Sequence, residues 1–336
     1  MSKVLCFGEL LMRLSPVLGG EWIKQNAMPV FIGGAELNAA TALAKWNIPV
    51  SYCTALPDHY LSKEIISFVE QKGIEANTIQ FSGNRIGTYY LPQGADLKNA
   101  GVIYDRAYSS FWDLRPGQVN WDEVLQDISW FHFSAISPAL NESVAAVCLE
   151  GVKAASAKGI TVSVDLNYRA KLWQYGKQPH EVMPALVEYC DVVMGNIWAE
   201  EKMLGIPVPA NIADEKDVYL SQSLETSKQV IKNFPKCKQV ANTFRFDAGE
   251  GVNYYATLYD GVNLFTAIEQ RTDYIVDKVG SGDTFMAGLI YGNYHQYSQQ
   301  EIIDYAAAAA FNKLFIKGDA TTSTVEEIKK GFLNYA

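Results

Sequence analysis

The chain alternates short apolar runs with longer segments whose apolar residues recur at helical spacing. Residues 3–7 form an apolar run that stops at Gly8, which predicts a first strand. Residues 38–46 are Ala-rich and helix-prone, and 50–55 read as the next strand. Over 61–72, Ile65, Ile66, Phe68 and Val69 lie at helical spacing, with Gly73 as the C′ glycine. Further strands are expected over 130–134, 160–166, 191–194 and 239–243. Further helices are expected over 142–158, 182–189, 199–204, 225–234, 284–294, 302–315 and 325–333. Such β-α alternation builds a mostly parallel sheet covered by helices on both faces. There is no internal repeat and no low-complexity linker, so a single domain over 1–336 is expected.

Two stretches break the alternation. Residues 13–32 are punctuated by Pro and Gly and lack a helical period. Residues 79–112 are rich in Tyr, Thr, Val and Gly and read as several short antiparallel strands. An inserted β segment in a parallel α/β protein often covers the active site as a lid. An ordinary edge hairpin has the same pattern.

Composition narrows the function. The chain has 336 residues, 49% hydrophobic and 19% charged, which excludes wholesale disorder. A net charge of −9 speaks against nucleic-acid binding but not against a local basic pocket for a small anion. No uncharged run reaches the ~18 residues that a membrane span needs. Glu9 interrupts the N-terminal apolar run too early for a signal-peptide core. The five cysteines are widely spaced without a C-x-x-C, which suits reduced, buried thiols and a cytoplasmic setting. The four histidines are scattered, so no zinc site is expected.

Four strings could carry chemistry. Gly280-Ser281-Gly282-Asp283 follows a strand-like segment that starts at Val276 and lies where a helix begins, and free N–H groups flanked by glycines form an anion site there. Asp283 is either a helix cap or a base beside a bound phosphate. In phosphoryl transfer, an Asp orients the acceptor hydroxyl while amides hold the developing charge. An ionised Asp at a helix start is a weak base, tolerable where proton loss comes late. Gly33-Gly34-Ala35-Glu36-Leu37-Asn38 precedes another helix, with Asn38 as its cap or as a polyol ligand. Asp165-Leu166-Asn167-Tyr168-Arg169 follows a buried strand, where open sheets bind ligands. Tyr104-Asp105-Arg106, with Tyr89 and Tyr90 upstream, suits a ligand bearing hydroxyls and a carboxylate.

Together these strings resemble the ribokinase (PfkB) family of small-molecule kinases, in order and over nearly the whole chain. The resemblance implies a ribokinase-like three-layer α/β/α sandwich with a mostly parallel sheet and a small β-sheet lid. The lid would be formed by about 13–32 and 79–112. It implies transfer of the γ-phosphoryl group of ATP, with Mg²⁺, to a hydroxymethyl group, and leaves room for a monovalent cation. Asp283 would be the base, and Gly280, Ser281 and Gly282 the anion hole, with Ser281 where the family usually has Ala. The chain looks most like the branch acting on 2-keto-3-deoxygluconate. By that resemblance Gly34, Asn38, Tyr89, Tyr104, Arg106, Arg169 and Asp319, together with Asp283, would contact a sugar acid. Nucleotide contacts would fall to Asn167, Asn196, Thr243, Arg245, Gly251, Gly280, Gly282 and Asn312. Lids in this family often pair between subunits, so a homo-oligomer is expected.

Two departures from the family pattern stand out. The family's N-x-x-E becomes Asn196-Ile197-Trp198-Ala199, so Ala199 stands where the family has the acid that helps organise Mg²⁺ and its waters. If the register slips by one, Glu200 takes that part through water. The usual K-x-G-x-x-G nucleotide loop is replaced by 241–251, ANTFRFDAGEG. Three other readings stay open: a kinase for fructose or another neutral sugar, a non-catalytic sugar-acid binding protein, and a Rossmann dehydrogenase. The last lacks G-x-G-x-x-G after its first strand.

Overall fold

The computed structural model describes residues 2–92, 101–249 and 251–333. The main sheet runs Leu264–Thr266, Gly251–Tyr259, Gln239–Ala248, Val192–Gly195, Thr161–Asp165, Ile128–Ser134, Lys3–Phe7, Val50–Cys53, Ile74–Glu75. Gln270–Thr272 adds to Gly251–Tyr259. Pairing is parallel from Ile74–Glu75 through Gln239–Ala248 and antiparallel beyond it.

Alternation along the strands explains the layers. Val4 and Cys6 of the central strand pack into one buried apolar cluster, while Leu5 and Phe7 pack into the other. Both faces are therefore covered, and the parallel strands read as continuous apolar runs. One face carries helices Ala35–Lys45, Ser281–Tyr294 and Gln299–Lys313. The last two pack closely because small residues meet. A Cβ on Gly288 would lie 2.6 Å from Ala306 Cα, within the five-alanine run. The other face carries Glu142–Ala157, Pro179–Val187 and Ile197–Leu204.

A second sheet of four strands runs Val30–Gly33, Leu11–Leu14, Gly87–Tyr90, Ile103–Asp105. This is the expected β insert, but its pairing is mixed. Leu11–Leu14 lies antiparallel to Val30–Gly33 and parallel to Gly87–Tyr90. Gln80–Phe81 leaves it altogether and pairs with Ala55–Leu56. Residues 93–100 of the expected lid lie outside the described residues. A short helix, Glu21–Gln25, occupies part of 13–32.

Three other expectations shift. The strand expected to end at 243 continues through Ala248, and Gly251–Tyr259 pairs back onto it. The region taken for a nucleotide loop is therefore mostly a β hairpin. The segment before Gly280 is not a strand. Helix Lys216–Asn233 starts nine residues before the expected 225–234. Among the described residues, no helix is long and apolar enough to cross a membrane.

Candidate active site

Strands Lys3–Phe7, Ile128–Ser134, Thr161–Asp165 and Val192–Gly195 all end toward one cavity of about 620 Å³. Its wall is completed by the small sheet through Leu11, Tyr89 and Tyr104. This is the position where open α/β sheets bind ligands, beyond the carboxyl ends of the strands. The cavity brings together Gly34, Asn38, Tyr89, Tyr104, Arg106, Asn167, Arg169, Asn196, Thr243, Arg245, Gly280, Ser281, Gly282 and Asp283.

The amide cradle is built by backbone geometry. Gly280 caps helix Ser281–Tyr294 at φ 78°, a left-handed conformation that favours glycine. A Cβ there would stand 1.7 Å from the Asp319 carbonyl oxygen, so only glycine fits. Ser281 donates its hydroxyl to the Ala310 carbonyl at 3.0 Å, and Thr284 donates to Gly280 O at 2.8 Å. The Ser281 side chain thus points into the core and leaves its backbone amide at the helix start, as an alanine would.

Asp283 lies one turn into that helix and is no cap. Its Oδ2 accepts from Asn38 Nδ2 at 2.7 Å. Asn38 is not a cap either: Gly34 caps Ala35–Lys45. Burial pushes Asp283 up to about 8, the Asn38 hydrogen bond and Arg169 oppose that, and the charges of Asp165 and Glu36 add to it. The weak base expected at a helix start is therefore a stronger one here. Asp165 is pushed up to about 7 by burial, against the pull of Arg169.

Charged side chains missed in the sequence surround this centre. Glu9 and Glu36 line the cavity, both buried. Glu9 Oε2 accepts from Arg106 Nε at 2.6 Å, and Glu9 Oε1 accepts from the Ser109 hydroxyl. Glu36 Oε1 accepts from the Ser134 amide at 2.9 Å and the Ser134 hydroxyl at 2.6 Å. Burial raises the Glu36 pKa, and these Ser134 bonds oppose it. Lys171, Trp198, Lys202 and Lys278 also line the cavity. The usable signal for Glu9 and Glu36 was a carboxylate placed directly after a glycine-ended strand or inside a diglycine string.

Four expected residues lie off the cavity wall. Asp319 is buried and binds Arg13, whose Nε donates to its Oδ1 at 2.8 Å, while Tyr89 donates to its Oδ2 at 3.2 Å. Through Tyr89 it borders the cavity at one remove. Asn312 Oδ1 accepts from the Ser323 hydroxyl. Gly251 sits in a strand, where a Cβ would stand 1.7 Å from Thr272 O. Glu200 is fully buried, because the helix Ile197–Leu204 turns Ala199 toward the cavity and Glu200 inward. The one-residue register slip does not occur.

The cavity can hold an anion on amides, offer a poised carboxylate to a hydroxyl and meet an acid with guanidinium groups. Comparison with known proteins agrees with that chemistry. A 2-dehydro-3-deoxygluconokinase from Thermotoga maritima superposes with a TM-score of 0.88 at 33% identity, covering 99% of this chain and 100% of that one. A 2-dehydro-3-deoxygalactonokinase from Haloferax volcanii is 26% identical over 98% of this chain and 96% of its own. Fructokinase-1 of rice is 23% identical over 85% of this chain and 81% of its own. The profile described as pfkB family carbohydrate kinase matches residues 1–324, and the chain belongs to that family.

Proposed function

We propose that the chain transfers the γ-phosphoryl group of ATP to the terminal (C6) hydroxyl of 2-keto-3-deoxygluconate, giving 2-keto-3-deoxy-6-phosphogluconate. The observation that carries this is the Asp283 carboxylate. It is held by Asn38 beside the Gly280–Ser281–Gly282 amides, in one cavity with Arg106 and Arg169. Asp283 orients the terminal hydroxyl and takes its proton. The amides meet the phosphoryl oxygens as charge develops. Arg106 and Arg169 meet the carboxylate of the sugar acid, and Gly34, Asn38, Tyr89 and Tyr104 line its chain. The nucleotide takes the end of the cavity bounded by Asn196, Thr243 and Arg245.

Mg²⁺ keeps most of its waters and binds through phosphates plus one or two carboxylates. Such a donor set fits Asp165 and Asp283, two of the four buried carboxylates of this wall; Glu9 and Glu36 are held by Arg106, Ser109 and Ser134, and Glu200 is sealed from the cavity. Among the described residues no cluster of three metal-binding side chains offers an all-protein cage. When bound, the ion neutralises charge on the phosphoryl oxygens.

One observation favours a second reading. Glu9 already compensates Arg106, which reduces the net positive charge available to an acid and leaves a neutral-sugar kinase, such as one for fructose, in play. Turnover with ATP over 2-keto-3-deoxygluconate, its C4 epimer, fructose, ribose and gluconate separates the two. Activity on the keto acids is expected. Turnover of a neutral sugar with the acids silent overturns the proposal.

The assembly we propose is a homo-oligomer joined through the small sheet, supported by exposed Leu18, Ile23, Val30 and Ile103 on that insert. Light scattering tests it, and a monomer at working concentration refutes it. The five free, buried cysteines support a reducing, cytoplasmic setting.

A further inference from the structure

Lys313 ends the helix Gln299–Lys313 and has 0% of its surface exposed. Lysine is almost never so buried without partners. Its Nζ donates to the Ile316 carbonyl at 2.9 Å, in the turn that follows the helix. Its Cε lies 3.5 Å from where a Cβ on Gly280 would stand, the point that the Asp319 carbonyl also crowds. The end of the lysine side chain therefore packs against the first residue of the amide cradle without lining the cavity.

The charges of three carboxylates on three segments act on it. They are Asp277 before the cradle, Asp319 after the turn, and Asp283 on the helix Ser281–Tyr294. Arg13 of the small sheet is the opposing cation, and Asp319 binds it. Asp277 ties both sides together: its Oδ1 accepts from Val279 N at 3.0 Å and its Oδ2 from Gly318 N at 3.1 Å. Burial lowers the Lys313 pKa while these carboxylates hold it up. Lys313 does not line the cavity, so it cannot touch substrate.

We infer that Lys313 is a positioning residue whose ammonium serves as a tethered cation. It locks the 316–319 turn against Gly280 and keeps the 280–283 amides aimed at the phosphoryl group. A site that carries its own fixed positive charge has no need of a dissolved monovalent cation at that place. The effect on turnover rests on the phosphoryl-transfer reading; the effect on folding does not.

The test compares the full chain and Lys313→Met in chloride salts of sodium, potassium, ammonium and tetramethylammonium. For the unaltered protein, rate and melting temperature are expected to be the same in all four salts. In Lys313→Met, kcat is expected to fall about 10- to 100-fold with sugar KM nearly unchanged. Ammonium or potassium, but not tetramethylammonium, should then restore part of kcat and raise the melting temperature, because a small cation refills the vacated site. An unaltered protein that needs potassium for rate or stability overturns the inference, and so does a Lys313→Met chain with full kcat. If Lys313→Met does not fold, the salt series on the unaltered protein still decides. If no sugar is phosphorylated, the melting series decides without reference to the reaction.

Discussion

Asn38 Nδ2 donates to Asp283 Oδ2 at 2.7 Å, joining two helix starts that lie 245 residues apart. Each side chain could have capped its own helix, and neither does. Helix Ala35–Lys45 and helix Ser281–Tyr294 instead converge on one point, so the diglycine turn and the amide cradle open onto the same cavity.

That pairing sets a pH dependence. Asp283 must be ionised to accept a proton, and burial places its pKa at about 8. Activity as kcat/KM should therefore fall as pH drops through about 8. Asn38 stabilises the ionised form, so Asn38→Ala should move that limb to higher pH. Asp283→Asn should reduce kcat on the order of 10³-fold while sugar binding persists. Identical pH profiles for the Asn38→Ala and unaltered chains would remove the hydrogen bond from this role.

The ion pair between Arg106 and Glu9 complicates the obvious test of acid recognition. Both side chains are buried, with Nε 2.6 Å from Oε2. Arg106→Ala leaves a buried carboxylate unpaired, which costs about 3–5 kcal/mol. It should lower the melting temperature as well as the rate. Glu9→Gln with Arg106→Ala removes both charges and should recover much of the stability without recovering turnover of the acid. If the double variant is no more stable than Arg106→Ala, the stranded carboxylate is not the cause.

What the sequence made legible was local. Glycines that break a helical or strand period mark turns, and the turns at Gly34 and Gly280 fall where expected, while the strand expected over 160–166 runs Thr161–Asp165. What it hid depends on long-range pairing. Arg13 meets Asp319 across 306 residues, and Arg106 meets Glu9 across 97. Nothing near Arg13 in the chain announces a buried charge, and the glycine-ended strand before Glu9 marks its place but not its partner. The helix Lys216–Asn233 began early because its first half buries Tyr219 and Ser223 rather than an aliphatic stripe, and Ser223 bonds Thr257 at 2.7 Å. The hairpin after Thr243 was hidden because the polar, glycine-bearing sequence of 247–251 reads like a loop from a ligand site, whereas Asp247 and Ala248 pair with Val252 and Gly251.

Two glycines of the cradle should behave oppositely. Gly280→Ala combines a left-handed φ of 78° with a Cβ 1.7 Å from the Asp319 carbonyl oxygen, and that backbone cannot yield cheaply. It should fold poorly or lose activity outright. At Gly282 a Cβ meets nothing within 4 Å, because that space is the cavity. Gly282→Ala should melt close to the unaltered chain and yet raise KM for the nucleotide, since its methyl enters the ligand's space. A Gly282→Ala chain with unaltered nucleotide KM would place the phosphate elsewhere.

Glu200 offers a stability test separate from catalysis. It is fully buried, and neither carboxyl oxygen makes a hydrogen bond of ordinary geometry, although Thr226 and Asn242 lie beside it and draw its pKa down. Burial wins and lifts the group from 4.5 to about 7. The folded state thus holds the proton more tightly than the unfolded one. A protonated Glu200 also has an acceptor at hand in Asn242 Oδ1, which lacks a partner of its own. Its contribution is complete below pH 4.5 and disappears as pH rises through about 7. Over that window the cost is roughly 3 kcal/mol. Glu200→Gln keeps the shape and the donor but cannot ionise. Urea unfolding at pH 5 and pH 8 should show the unaltered chain losing more stability than Glu200→Gln by about that amount. Asp283, Asp165 and Glu36 titrate equally in both chains and cancel in the difference. Parallel losses in the two chains would mean that Glu200 is already ionised in its buried site, held by partners closer than the structure shows.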